Sequence, residues 1–163
     1  MNMSDIQHDH DHKRCISNAL SNADTVCQRA GVRLTPLRRQ VLELIWQSHK
    51  PLGAYVVMEM LEANSDRTRV APPTVYRALD FLIEHGLIHK VHSLNAYIGC
   101  THPSDNHSDA LFICTRCGFT EEVPSRTIQQ AINLSASQQR FKVQEKVLEI
   151  VGICADCRGE RRD

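Results

Sequence analysis

Two cysteine pairs carry the plainest chemistry in this chain: Cys114 and Cys117 in LFICTRCGF, and Cys154 and Cys157 in ICADCRG. Each pair leaves two residues between its thiols, and two such pairs supply four thiolates that can surround one zinc ion tetrahedrally. A single C-x-x-C would also fit a redox thiol, because low-pKa cysteines share that spacing. Two pairs on the ends of strand-like runs are much harder to explain that way. Four thiolates close the coordination sphere and leave no position for substrate or water, so this zinc would serve folding, and function must be sought elsewhere.

A second set of ligand types remains. His89, His92, Cys100, His102, His107 and Glu121 crowd into one stretch of the sequence. Singly, each has a plain explanation as a surface histidine, a core cysteine or a solvated carboxylate on a strand edge. Their concentration points to a second metal. A thiolate among nitrogen and oxygen donors suits Zn(II) better than the hard oxygen sets of magnesium or manganese, which makes Cys100 the discriminating residue.

These ligands need elements to position them. Apolar residues Ile16, Ala19, Leu20, Ala23, Val26, Cys27 and Ala30 fall three and four apart before Gly31, the pattern of a first helix. Thr35 then Pro36 reads as an N-cap and first helical residue, opening a second helix with Leu37, Val41, Leu42, Leu44 and Ile45 inward and an end near Ser48. A third helix is expected over about residues 54–64 and a fourth over APPTVYRALDFLIEHG, started by Pro72 and Pro73 and stopped by Gly86. LIHKVH and AYIGC, joined by SLN, then read as a hairpin. Helices followed by a hairpin suggest a winged helix-turn-helix.

The polar run THPSDNHSD, residues 101–109, marks a boundary. Beyond it ALFIC, GFTEEV and KVLEIVGIC are strand-like, with a helix from Pro124 to about Gln138 between them. The fold class expected is therefore α+β: a winged-helix domain over residues 15–100, a hinge over 101–109, and a small α/β domain over 110–163. Residues 1–14, with the HDHDH run, are expected to form a disordered, weakly chelating tail, since so short a polar stretch has no apolar groups to fix its geometry. Cys15 and Cys27 are expected to bind no metal.

With 163 residues and zero formal net charge, the chain shows no globally basic surface. Locally the balance differs: Lys13, Arg14, Arg29, Arg33, Arg38, Arg39 and Lys50 stand against Asp24 and Glu43. That segment can present one positive face. No apolar run reaches the roughly 18 residues of a membrane span, and the N-terminus is too polar for a signal peptide. A cytoplasmic location is expected, where thiols stay reduced and the seven cysteines serve metal or core rather than disulfides.

VRLTPLRRQVL, PPTVYRALDFL and HKVHSLNAYIGC, followed by the two cysteine pairs, closely resemble the ferric uptake regulator family, and within it the zinc-sensing subgroup. The likeness covers about residues 23–157. It implies a dimeric, metal-dependent transcriptional repressor with a winged-helix DNA-binding domain and a dimerisation domain that holds the four-cysteine zinc. It also implies a second, regulatory zinc held by His89, Cys100, His107 and Glu121, hence two per subunit, with Glu122 and His102 as neighbouring candidates. The histidine-rich cluster that iron-sensing relatives carry ahead of the first cysteine pair is not evident.

On this resemblance Tyr76 and Arg77, near the start of the fourth helix, would enter the major groove, where an arginine can meet guanine O6 and N7 with both arms. Arg33 and Arg38 would make backbone or groove-edge contacts, which position the protein without specifying sequence. The expected partners are palindromic operator DNA and a second copy of the chain, with no membrane and no small-molecule substrate; the genes repressed would be those of zinc uptake. Other readings are an iron or peroxide sensor, which would need different ligation at Cys100, a zinc hydrolase, which would need an open coordination position, and a zinc carrier or scaffold that uses the winged helix for protein contact. Four protein ligands argue against the enzyme.

Overall fold

The computed structural model describes residues 12–64, 70–103 and 110–159. Helix α1 (His12–Ala30) buries Ala19, Ala23 and Cys27, four residues apart, and ends at Gly31 with φ +67°. It begins earlier than the sequence suggested, so Lys13 and Arg14 belong to its first turn and not to a tail. The rest of the HDHDH run before His12 lies outside the described residues.

Helix α2 (Pro36–Trp46) is capped as expected: the Thr35 side chain accepts from Arg38 N at 3.4 Å, and proline occupies the first turn. Its fully buried Val41, Leu42, Leu44 and Ile45 pack among α1, α3 (Ala54–Ala63) and α4 (Pro72–Glu84). Each large aliphatic side chain buried there contributes on the order of 1.5–3 kcal/mol. Gly86 at φ +65° closes α4, with Leu87 N donating to Leu82 O at 2.8 Å, which satisfies a carbonyl the helix end would leave open.

Strand β2 (Ile88–Val91), a single 3-10 turn (His92–Leu94) and β3 (Ala96–Gly99) form the hairpin, with Asn95 in the left-handed region at φ 46°. A strand not foreseen, β1 (Leu52–Gly53), pairs with β3, giving the antiparallel order β1-β3-β2. Two residues carry no periodicity to read. This completes a winged helix-turn-helix.

The second sheet has the order β5-β4-β6, from β4 (Ala110–Cys114), β5 (Thr120–Val123) and β6 (Glu149–Gly152). β4 and β5 are antiparallel, while β6 returns parallel to β4 after α5 (Arg126–Gln138) and an irregular stretch. A short helix α6 (Ala155–Arg158) carries Cys157. The α+β class is borne out.

Val91 and Ile98 of the wing form one buried cluster with Leu111 and Ile113 of β4, so the two lobes share a small apolar core. By contrast α5 buries no residue, and Leu134, Phe141 and Val151 are more than half exposed. One face of the second lobe is therefore apolar and open in the single chain.

Candidate functional site

The turn after β4 brings Cys114 and Cys117 together, and Cys154 and Cys157 flank the start of α6. All four ligand atoms lie within 4.8 Å of one another. Cys117 Sγ and Cys154 Sγ are 3.8 Å apart. A tetrahedron with zinc–sulfur bonds of about 2.3 Å has edges of about 3.8 Å, whereas a disulfide needs about 2.05 Å, so the four-cysteine cluster fits zinc.

Hydrogen bonds shape this cluster before any metal. Cys154 N donates to Cys114 Sγ at 3.3 Å, and Arg116 donates to the Cys157 carbonyl at 2.8 Å. Burial opposes ionisation of Cys114, but the backbone N–H groups of Cys154, Cys117 and Arg116 outweigh it and bring its pKa down to about 6. Burial and the thiols of Cys154, Cys117 and Cys114 push Cys157 up to about 12. Four such sulfurs cannot all ionise by themselves, which is the electrostatic condition a bound dication relieves.

The second cluster spans the lobes. His89 on β2, Cys100 just past β3 and Glu122 on β5 place their ligand atoms within 4.8 Å of one another. Glu122 Oε1 is 2.7 Å from His89 Nε2 and 3.7 Å from Cys100 Sγ. Its other oxygen, Oε2, accepts from Thr101 N at 2.8 Å and from Thr101 Oγ1 at 2.7 Å. The carboxyl side chain is 3% exposed. Burial alone would raise its pKa, yet His89 and Thr101 hold it well below the usual carboxylate range, so Glu122 offers an ionised oxygen toward His89 and Cys100.

Glu122, and not the expected Glu121, thus joins His89 and Cys100. Neighbours on a strand point to opposite faces, and Glu121 is paired across from Phe112 on the exposed outer face. His107 lies outside the described residues. His102 is exposed, with Nδ1 2.9 Å from Thr101 Oγ1, and so stands behind the carboxylate's hydroxyl partner. Thr101 was not singled out from the sequence, although a hydroxyl directly after Cys100 was the available signal.

On α4, Val75, Ala78, Leu79 and Leu82 face the core while Tyr76 and Arg77 are exposed in its first half. Arg33 is exposed too. Arg38 is half-buried: its guanidinium lies 3.5 Å over the Phe81 ring and donates to Arg33 O at 2.7 Å, so it fixes the approach to α2. Arg39 is paired with Asp24.

Helix-turn-helix, wing and lobe-spanning ligand cluster define the architecture of a metal-dependent winged-helix regulator. Residues 29–151 match the model of the ferric uptake regulator family, and the chain belongs to that family. It is 37% identical over 147 residues to the zinc uptake regulation protein of Escherichia coli (strain K12), covering 89% of this chain and 84% of that one. A zinc uptake regulator solved in complex with zinc and DNA superposes with TM-score 0.82 at 37% identity, over 88% of this chain and 95% of the other. XcZur gives TM-score 0.79 in its holo form at 38% identity, over 87% of this chain and 98% of the other. Its apo form gives 0.53 at 36% identity, over 89% and 99%. The chain therefore superposes more closely on the holo form than on the apo form.

Proposed function

We propose that the chain is a zinc-responsive transcriptional repressor that binds palindromic operator DNA as a zinc-loaded dimer and represses zinc-uptake genes in the cytoplasm; it is a regulator and not an enzyme. The observation that carries this reading is the cluster of His89, Cys100 and Glu122, because its members come from both lobes. A metal bound there links wing to dimerisation domain. The thiolate favours Zn(II) over hard-oxygen metals.

Two zinc ions per subunit are proposed, one for Cys114, Cys117, Cys154 and Cys157 and one for His89, Cys100 and Glu122, with His107 as fourth ligand on the family resemblance. A thiolate and a carboxylate with neutral histidines balance the ion's charge, so no net charge is left buried at the junction. Homodimerisation is supported by the apolar, open face of α5 and β6. For DNA, Tyr76 and Arg77 are proposed to enter the major groove and Arg33 to meet phosphate, with Arg38 supporting Arg33 from below as well as lying at the backbone.

A dimer fits a two-fold operator only when its recognition helices stand about one helical turn, or a multiple, apart. Fixing each wing on its dimerisation lobe selects that spacing. The deciding experiment enriches operator sequence from random duplexes with the zinc-loaded protein, then measures binding with and without zinc and for Cys100→Ser. Operator binding that needs zinc and Cys100 supports the reading, and equal binding without either contradicts it.

A further inference from the structure

Strand β2 is tied to the second lobe at both ends. Near its start, His89 meets Glu122 on β5. Just beyond its end, the wing turn meets Glu149 on β6: His92 N donates to Oε1, and Ser93 N donates to Oε2 at 3.0 Å. β5 and β6 are the two opposite edges of the β5-β4-β6 sheet, and between the ties Val91 packs on Leu111 and Ile113 of the central strand. The wing therefore lies across the whole sheet.

We propose that Glu149 is a positioning residue that fixes the orientation of the winged helix on the dimerisation lobe, working with the junction cluster although it belongs to the opposite sheet edge. The geometry gives the reason. A body held by polar contacts along one sheet edge, here His89 with Glu122 and Thr120 N donating to His49 O at 3.4 Å, over a small apolar patch can still swing about that edge. A second hold at the far edge removes the rotation. Glu149 suits this task because both its oxygens are engaged by successive backbone N–H groups, a two-point grip that constrains direction as well as distance. Those N–H groups belong to a short 3-10 turn whose first donors have no partner inside the turn, so the carboxylate also completes the wing's own hydrogen bonding. The ionised state is favoured there: burial opposes it, but the Ser93 and His92 donors hold the carboxyl below its usual range.

Because Glu149 and the junction ligands favour the same arrangement, they are linked: whatever weakens one hold lowers the population in which the other can form. This part rests on the repressor reading, whereas the contact itself does not. The test uses zinc-loaded, full-length dimer carrying Glu149→Ala and Glu149→Gln. Hydrogen exchange at the His92 and Ser93 amides should be about tenfold faster or more in Glu149→Ala, and intermediate in Glu149→Gln, which keeps one acceptor oxygen. Junction-site zinc affinity, measured by competition with a chelator while the four-thiolate site stays filled, should fall by about fivefold or more. Thermal stability of the four-cysteine lobe and dimerisation should not change, which separates positioning from general damage.

Unchanged exchange at residues 92–93 overturns the contact. Faster exchange with unchanged zinc affinity overturns the positioning role. If Glu149→Ala does not yield folded dimer, Glu149→Gln carries both comparisons. Zinc-independent operator binding by the unsubstituted protein would overturn the repressor reading instead, and leaves the exchange comparison decisive for the contact.

Discussion

Glu122 Oε1 stands 2.7 Å from His89 Nε2, joining a carboxylate of the second lobe to the wing across 33 residues of sequence. The same carboxylate is oriented from behind by Thr101, so one oxygen is held and the other is presented. Glu122→Ala should lose the exchangeable zinc and, with it, zinc-dependent DNA binding, whereas Glu121→Ala should keep both. Zinc stoichiometry after mild chelation distinguishes the two. Retention of both metals by Glu122→Ala would move the ligand elsewhere.

The electrostatics of Glu122 also predict a pH dependence. Its folded-state pKa is depressed below the ordinary 4.5, so the unfolded chain binds the proton more readily than the folded one. Its contribution is thus fully present above that ordinary value and is lost as pH falls through the folded value. The stability difference between the metal-free protein and Glu122→Gln, read from urea midpoints, should shrink as pH falls below about 4.5. A difference that grew on acidification would have the wrong sign.

For the four-cysteine cluster, Cys114→Ser or Cys154→Ser should unfold the dimerisation lobe, because structural zinc contributes apparent free energies of about 10–16 kcal/mol to small domains that depend on it. Circular dichroism and sedimentation check this. Cys100→Ser should instead remain a folded dimer with less zinc.

Gly99 permits a close approach: a Cβ there would lie 2.3 Å from the Trp46 indole, so the substitution must displace either that half-buried ring, which packs against the core, or the strand end that leads to Cys100. Gly99→Ala should cost roughly 1–3 kcal/mol. The chain has one tryptophan, so the fluorescence of Trp46 during urea unfolding reports this packing directly. Native-like emission and an unchanged midpoint would argue that the strand shifts freely.

On DNA, Arg77→Ala should relax sequence preference at a cost on the order of 1–3 kcal/mol per half-site, while Arg33→Ala should weaken all sequences alike and flatten the salt dependence. Competition between operator and random duplexes at several salt concentrations reads both effects. Equal losses for Arg77→Ala on the two DNAs would remove its base-reading role.

Local signals made most of the fold legible. Thr35-Pro36 opened α2 and Gly86 closed α4 where local chemistry requires, and the two C-x-x-C pairs announced their own cluster through spacing alone. What failed depends on pairing at a distance. TEEV gives no clue to which glutamate faces the wing; that follows from the register, in which Leu111 lies opposite Glu122 and Phe112 opposite Glu121. Leu111 packs on the wing, so its cross-strand neighbour does too. Glu149 is further still from legible, since 57 residues separate it from the His92 amide it accepts from. Helix α1 reached back to His12 because a polar start does not prevent helix once the later apolar face is packed.

On the proposed function, junction zinc and operator DNA select the same arrangement of wing on dimerisation lobe. Linkage then requires each to tighten the other's binding by one factor, typically about 5- to 150-fold for a coupling of roughly 1–3 kcal/mol. The most direct measurement is the zinc affinity of the junction site with and without operator DNA, keeping the four-thiolate site filled. Zinc binding tightened by operator within that range, and by the factor with which zinc tightens operator binding, is the predicted result. Equal zinc affinities with and without operator would contradict it and leave His89, Cys100 and Glu122 as a structural brace.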